Sequence, residues 1–140
     1  MPEPCQRTKV MAWSCPAMMA GHDPDARTIF DRLWQFSRAH PSAIQIDGRA
    51  SNLMAWEVPT GEGDSDSAFD GDCDIAYALL LADRQLGGGG GTDYVTKAKD
   101  VLKDILLKTV GPDSLLPLLG DWVEPVGGVV LQKISIYTRY

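Results

Sequence analysis

The sequence predicts an all-α domain with a few short extended segments, and two observations lead to this fold class. Three stretches repeat apolar residues at helical spacing, whereas the stretches suited to β-strands are short. The intervals between the helical stretches hold the glycines and prolines that stop helices. A chain of 140 residues with 44% hydrophobic content suits one domain, which buries roughly two-thirds of its unfolded surface.

The first helix is predicted from about Pro24 to Ala39. Asp23 suits the N-cap, and Pro24 suits the first helical position. The helix is expected to end at His40-Pro41, because the residue before a proline is pushed out of the α region. One face of this helix is apolar and is formed mainly by Ile29, Phe30, Leu33 and Trp34.

The second helix is predicted from about Asp72 to Leu86. Its sequence is apolar nearly all round, which is typical of a helix enclosed by other helices. Asp70, Asp72 and Asp74 stand at its start, where unpaired N–H groups and the positive end of the helix dipole favour carboxylates. We interpret Asp72 and Asp74 as capping residues.

The third helix is predicted to begin near Thr92 and to end at Gly111-Pro112. Five glycines, Gly87 to Gly91, separate it from the second helix, and no Lys-Ser or Lys-Thr pair follows them as a phosphate-binding loop requires. Between the first two helices we expect connecting chain over residues 41–52 and a short extended segment over residues 53–58. A hairpin is predicted in the tail from Val126 to Tyr140.

Charge and cysteine content exclude several classes of function. The formal net charge is -6 and no basic run occurs, so nucleic acid and anionic membranes are not expected partners. The N-terminal sequence MPEPCQRTKV lacks the apolar core of a secretory signal, so the chain is expected to be cytosolic or to lack its export signal. Three cysteines without C-x-x-C spacing favour neither a zinc site nor a particular disulfide, and no metal or cofactor is expected.

Three phrases of the sequence together resemble one enzyme family. They are LMAW at residues 53–56, GDSDSAFDGD at residues 63–72 and DIAYALLLAD at residues 74–83. In this order they resemble the catalytic domain of glycoside hydrolase family 8, which contains bacterial endoglucanases, cellulases, chitosanases and some xylanases. The resemblance extends from about residue 19 to about residue 125, and we interpret residues 1–140 as a partial catalytic domain.

The resemblance implies a particular all-α architecture and a particular substrate class. The family fold is an (α/α)6 toroid of six helical hairpins, of which this chain would supply about half. Inner surfaces such as Leu79 to Ala82 would then face water unless the chain dimerises or collapses. The implied activity is endo-acting hydrolysis of β-1,4-glucan with inversion, by a secreted or periplasmic monomer. The choice among cellulose, mixed-linkage glucan, chitosan and xylan stays open.

The resemblance also implies the residues of the site. Asp70 matches the aspartate of the family motif Ser-Ala-Thr-Asp-Gly-Asp, which binds and distorts the sugar at the cleavage point and is counted as catalytic. Phe69 stands where that motif has threonine. Trp56 is open to two interpretations, a core residue or a platform for the apolar face of a sugar. The predicted substrate-binding residues are Trp56, Asp70, Asp121, Trp122 and Arg139.

Two catalytic parts of the family pattern are not found in the sequence. The family's general acid is a glutamate in a Ser-Glu-Gly-x-x-Tyr-Gly phrase, and the corresponding residues 7–16 read RTKVMAWSCP. Residues 9–15 are what an out-of-frame reading of Glu-Gly followed by Tyr-Gly-Leu-Val-Leu would encode, with a short deletion between, so we hypothesise a frameshift there. The general base would lie beyond Tyr140. We therefore expect this polypeptide alone to be inactive or nearly so.

Two alternatives belong to the class of binding proteins. One is a non-catalytic glucan-binding remnant that uses Trp56, Asp70 and Trp122. The other is a calcium-binding module, because aspartates alternate as they do in calcium loops. An EF-hand is not favoured, since Phe69 or Ile75 would stand where that loop requires glycine. The alternating aspartates are Asp64, Asp66, Asp70, Asp72 and Asp74.

Overall fold

The computed structural model describes residues 6–7, 23–58, 65–87 and 91–123. Within these residues the chain is mainly helical, as predicted. The helices are α1 (Ala26–Ala39), α2 (Phe69–Leu86) and α3 (Tyr94–Lys108). The strands have two residues each: β1 (Gln6–Arg7), β2 (Gln45–Ile46), β3 (Arg49–Ala50) and β4 (Glu57–Val58).

All three helices begin two or three residues from their predicted starts. Helix α1 begins at Ala26, because Pro24 and Asp25 form a turn in which Asp23 accepts the N–H groups of Asp25, at 2.8 Å, and Ala26, at 3.0 Å. Helix α2 begins at Phe69, three residues before the predicted start, and Ala68 takes the N-cap position with no side-chain cap. The interpretation of Asp72 as a capping residue was therefore wrong.

Helix α3 begins with a side-chain cap. Asp93 Oδ1 accepts the N–H of Thr96 at 3.0 Å, and Asp93 Oδ2 accepts the Thr96 hydroxyl at 2.7 Å. These hydrogen bonds satisfy a donor that the first turn of a helix otherwise leaves unpaired. The predicted start near Thr92 was correct to within two residues.

The core lies between α2 and α3, and α1 covers one side of it. Tyr94 is fully buried, and its ring meets that of Phe30 edge to face with centroids 5.4 Å apart. The Tyr94 hydroxyl donates to Asp31 Oδ1 at 2.7 Å, and Arg27 donates to the carbonyl groups of Leu86 and Gly87 at the end of α2. The first contact joins α1 to α3, and the second joins α1 to the end of α2.

The stretch Leu79 to Ala82, which was expected to face water unless the chain dimerises or collapses, is mostly buried within the chain itself. Leu79 and Ala82 are fully buried, and Leu81 packs at the edge of the core. Leu80 keeps 39% of its surface exposed, and Tyr77 is also exposed. Helix α2 is therefore covered on the side that faces α3 and open on another side.

The connection between α1 and α2 is more ordered than predicted. Strands β2 and β3 form an antiparallel hairpin whose turn has positive φ at Asp47 (51°) and Gly48 (76°). Positive φ at both central residues is the requirement of a type I′ turn, which Asp-Gly meets. Strand β4 lies in the predicted extended segment and pairs with β1.

Several predictions concern residues outside the described ranges. They are the hairpin from Val126 to Tyr140, the altered phrase at residues 8–16 and the site residue Arg139. In the part of the chain that is described, no helix has both the length and the apolar character that crossing a membrane requires.

Candidate functional site

Polar side chains from all three helices hold the segment of residues 49–56, which we call the Trp56 segment. Arg38 of α1 donates to the Ser51 carbonyl at 3.0 Å. Asp72 of α2 accepts the Met54 N–H at 2.9 Å. Asp104 of α3 accepts the Asn52 N–H at 2.8 Å. The backbone of this segment is thus fixed from three directions before it reaches Trp56.

Asp104 is the most densely bonded of these side chains. It is fully buried and accepts the guanidinium of Arg49 through both of its oxygens, together with the backbone and side-chain amides of Asn52. Burial raises the pKa of Asp104, but the hydrogen bonds from Arg49 and Asn52 outweigh burial and hold that pKa below its ordinary value. Asp104 is therefore a buried carboxylate that is fully paired.

Asp72 is a buried carboxyl group that is only half paired. Its surface is 1% exposed and Oδ1 accepts from Met54, but Oδ2 has no hydrogen-bond partner of good geometry among the described residues. Burial raises the pKa of Asp72 to about 7, and the negative charges of Asp121 and Asp70 act in the same direction. The Met54 N–H and the nearby Ser67 hydroxyl oppose this increase.

Residues 118–122, which we call the Gly120 segment, cross the start of α2. The Leu119 carbonyl accepts the N–H of Phe69 at 3.1 Å. Asp121 Oδ1 accepts the N–H of Ser67 at 2.9 Å, and Asp121 Oδ2 accepts the hydroxyl of Ser42. This segment therefore supplies acceptors to a helix end that lacks a side-chain cap.

Gly120 is the point of closest approach between this segment and the chain before α2. A Cβ added there would lie 2.1 Å from the Ser67 carbonyl oxygen and 2.7 Å from Trp122 Nε1. Both neighbours are too close for any side chain, and one of them is backbone. Glycine is therefore required here by contact rather than by its backbone angles.

We expect Gly120→Ala to lower the free energy of unfolding by about 1–3 kcal/mol, because the added methyl group forces the backbone or Trp122 to move. Urea unfolding followed by tryptophan fluorescence measures this loss. Leu119→Ala is the control, since it changes an exposed side chain of the same segment. Equal stability of Gly120→Ala and the unchanged chain would contradict the described packing.

The structure brings four of the five predicted site residues to one place. Residue Ala55 pairs with Ser67 in a β-bridge, so Trp56 lies beside the chain that leads into α2. Asp70 is exposed in the first turn of α2, and the Gly120 segment, which contains Asp121 and Trp122, is bonded to Phe69 and Ser67 just before it. Trp56 is 38% exposed and Trp122 is 55% exposed. Trp56 is therefore not a fully buried core residue.

The four residues differ in what they offer to a ligand. Asp70 accepts the N–H of its neighbour Gly71 through Oδ1 at 3.0 Å and remains open to solvent. Both oxygens of Asp121 accept hydrogen bonds within the protein, from the Ser67 N–H and from the Ser42 hydroxyl. The roles of these residues toward a substrate stay predictions, and Arg139 lies outside the described residues.

Sequence reasoning missed the buried part of this arrangement. Asp104 stands on the apolar face of α3 beside Val101 and Ile105, and a carboxylate on a core-facing position is a signal of a buried partner. Its partners Arg49 and Asn52 lie more than fifty positions earlier in the chain, at 55 and 52 residues. Within the described ranges, no three His, Cys, Asp or Glu side chains gather as a metal site would require.

An exposed carboxylate at a helix start, with exposed indole rings on the two segments bonded to that start, is suited to a carbohydrate, because indoles stack on the apolar face of a sugar and carboxylates accept its hydroxyl groups. On a helical scaffold these features are typical of a carbohydrate-active all-α protein. The chain belongs to glycosyl hydrolases family 8, whose family model matches residues 13–122.

Two curated relatives illustrate this membership. The chain is 45% identical over 109 residues to a beta-glucanase from Niallia circulans, and the match covers 75% of this chain and 25% of the relative. It is 43% identical over 109 residues to an endoglucanase from Bacillus sp. (strain KSM-330), and this match covers 75% of this chain and 22% of that protein. The chain thus spans about a quarter of the length of these relatives.

Solved structures place the helices in the family fold. The beta-1,3-1,4-glucanase from Paenibacillus sp. X4 superposes with a TM-score of 0.78 at 37% identity, over 89% of this chain and 33% of that chain. A cold-adapted family 8 xylanase superposes with a TM-score of 0.66 at 23% identity, over 89% of this chain and 32% of that chain, and shows the fold alone. The chain is therefore part of an (α/α)6 toroid, and it covers a third of the length of the solved glucanase.

Proposed function

We propose that this chain is the sugar-binding part of a glycoside hydrolase whose whole protein cleaves internal β-1,4 bonds of glucan with inversion. The observation that supports this most directly is the exposed Asp70 in the first turn of α2, with Trp56 and Trp122 exposed on the two segments that meet there. The names of the relatives, beta-glucanase and endoglucanase, favour glucan over chitosan or xylan.

Each residue has a distinct role in this proposal. The Asp70 carboxylate accepts hydrogen bonds from sugar hydroxyl groups at the cleavage point and favours a distorted ring. Trp56 and Trp122 stack on neighbouring sugar units. Asp121 positions these groups by holding Ser67 and Ser42. Arg139 is proposed as a further contact with the sugar.

Hydrolysis requires more than this arrangement. An inverting glycosidase uses a protonated carboxyl group and a carboxylate about 6.5–9.5 Å apart, with a water molecule between sugar and base. By resemblance, neither the acid nor the base is among the residues of this sequence. We therefore propose that the 140-residue polypeptide binds β-glucan without hydrolysing it. Because the substrate is a polymer, we also propose that the whole protein acts outside the cytoplasm.

The experiment that tests this proposal measures binding and hydrolysis on the same preparation. Soluble β-glucan is titrated into the polypeptide by calorimetry, and reducing ends are counted after long incubation. We expect saturable binding, no release of reducing ends, and no change when calcium is chelated. Hydrolysis that is lost in Asp70→Asn would contradict the proposal of binding without cleavage, and calcium-dependent binding would favour the calcium module instead.

We expect Trp56→Ala to weaken the binding of soluble β-glucan about tenfold, because an exposed indole that stacks on a sugar contributes about 1–2 kcal/mol. The dissociation constant from calorimetry measures the effect. Leu106→Ala is the control, because Leu106 is an exposed apolar side chain on α3 that lies outside the proposed site. Equal affinity of both variants would exclude Trp56 from the sugar site.

A further inference from the structure

Two buried oxygen atoms beside the proposed sugar site lack hydrogen-bond partners of good geometry among the described residues. They are Asp72 Oδ2 and Ser67 Oγ. Asp72 is 1% exposed and Ser67 is fully buried, so bulk water cannot take the place of the missing hydrogen-bond partner of either atom. The Ser67 hydroxyl is close enough to Asp72 to act on its ionisation. Leaving such atoms unpaired is costly, so they are expected to satisfy each other.

The bonds around these two atoms join the parts of the proposed site. Asp72 Oδ1 accepts the Met54 N–H at 2.9 Å, two residues before Trp56. The Ser67 N–H donates to Asp121 Oδ1 at 2.9 Å. Asp72 itself belongs to α2, two residues after Asp70. A hydrogen bond between Asp72 and Ser67 would therefore link the Trp56 segment, the start of α2 and the Gly120 segment.

The charged and titratable groups that face Asp72 come from three elements. Asp70 and Cys73 are its neighbours on α2, and Asp121 faces it from the Gly120 segment. Arg38 faces it from α1. The two aspartates and burial oppose a negative charge on Asp72, whereas Arg38 favours one. A neutral carboxyl group removes the repulsion from Asp70 and Asp121 and provides a donor for the unpaired serine oxygen.

We propose that Asp72 is a positioning residue that acts as a neutral carboxylic acid, with Oδ1 accepting from the Met54 N–H and a protonated Oδ2 donating to Ser67 Oγ. The consequence for sugar binding rests on the function proposed above, whereas the protonation of Asp72 does not. When the proton leaves, the bond reverses and the Ser67 hydroxyl donates to the Asp72 carboxylate, as its opposition to the raised pKa indicates, but three carboxylates then repel one another. The Trp56 segment and the first turn of α2 are then held less firmly.

The pH at which this change occurs follows from the surroundings of Asp72. Burial raises the pKa of Asp72 to about 7, so the group is mostly protonated at about pH 6 and mostly ionised at about pH 8. We therefore expect the affinity for soluble β-glucan to fall about fivefold between these two pH values, because the repulsion of ionised Asp72 by Asp70 and Asp121 loosens the Trp56 segment. The polypeptide is used whole, without removal of either end.

Infrared spectroscopy tests the protonation without any ligand. A protonated carboxyl group has a C=O stretching band that a carboxylate lacks. We expect this band at about pH 6, its loss as the pH rises through about 7, and its absence in Asp72→Asn. Asp74→Asn is the matched control, because it removes a carboxyl group from the next turn of the same helix and should leave the band in place. Absence of the band from the unchanged chain would overturn the proposal.

Calorimetry with soluble β-glucan tests the positioning. Asn at position 72 accepts through its oxygen and donates through its amide, so Asp72→Asn should bind at both pH values as the unchanged chain does at about pH 6. Asp72→Ala should bind weakly at both. If the affinity of Asp72→Asn fell between about pH 6 and about pH 8 as much as that of the unchanged chain, the proposal would be overturned.

The two measurements separate this proposal from the function it builds on. If no β-glucan binds at any pH, the proposed function fails, and the infrared band still decides whether Asp72 is protonated. If Asp72→Asn does not fold, Ser67→Ala replaces it. Removal of the serine oxygen should shift the infrared band to the frequency of a carboxyl group without an acceptor, and an unshifted band would overturn the bond to Ser67.

Discussion

Asp104→Ala is expected to lower the free energy of unfolding by about 1–3 kcal/mol, the cost of leaving the amide donors of Asn52 unpaired. Asp104 is fully buried and is the acceptor for both the guanidinium of Arg49 and the two amides of Asn52. Its removal leaves the amides of Asn52 without this acceptor at the point where α3 holds the Trp56 segment, whereas the exposed Arg49 side chain turns to water. Urea unfolding measures the loss from the shift of the midpoint at constant slope.

Asp100→Ala is the matched control for this prediction. Asp100 lies one turn earlier on α3, is largely exposed and meets Lys97 at 3.9 Å. Both variants replace aspartate by alanine within one helix, so the gain in helix propensity is the same in each. We expect a change below about 1 kcal/mol for the control, as is usual for an exposed ion pair. Equal losses of stability in the two variants would contradict the description of Asp104 as a buried acceptor for Arg49 and Asn52.

The pH dependence of the Asp104 effect has a definite sign. The hydrogen bonds to Asp104 hold its pKa below the ordinary value of 3.8, so the folded state binds its proton less readily than the unfolded state does. The stability that Asp104 provides is therefore present above that value and is lost as the pH falls through the lowered pKa. The difference between the unchanged chain and Asp104→Ala should shrink in the same acidic range.

The helices were predictable from the sequence because their signals are local. The apolar repeats of α1 and α3 lie within one helix each, and the stops at His40-Pro41 and Gly111-Pro112 lie next to them. The start of α2 was not predictable in this way. The Phe69 N–H in its first turn donates to the carbonyl of Leu119, fifty positions later in the chain, and no pattern in the sequence around Phe69 predicts that contact.

The candidate site was predictable in its exposed residues and not in its buried ones. Asp70 and Trp56 belong to phrases that resemble a family, so they could be named without a structure. Asp72 belongs to the same phrase and was misinterpreted, because a carboxylate near a helix start looks like a cap whether or not it faces solvent. Only the fold shows that Asp72 is buried and reaches Met54 instead.

The alternation of exposed and buried leucines on α2 was not predictable either, because an almost wholly apolar helix gives no preferred face. Leu79 is fully buried between α2 and α3, whereas its neighbour Leu80 is 39% exposed. Two identical residues at adjacent positions therefore have different surroundings. They provide a test of the packing that is free of differences in residue type or helix propensity.

Leu79→Ala is expected to lower the free energy of unfolding by about 2–5 kcal/mol, because it removes buried methyl groups and leaves a cavity in the core. Leu80→Ala is expected to cost less than about 1 kcal/mol, since much of its side chain already contacts water. Urea unfolding at two protein concentrations measures both. Equal losses would mean that Leu80 is also covered, and if the loss in Leu80→Ala grew with protein concentration, the cover would be a second copy of this chain.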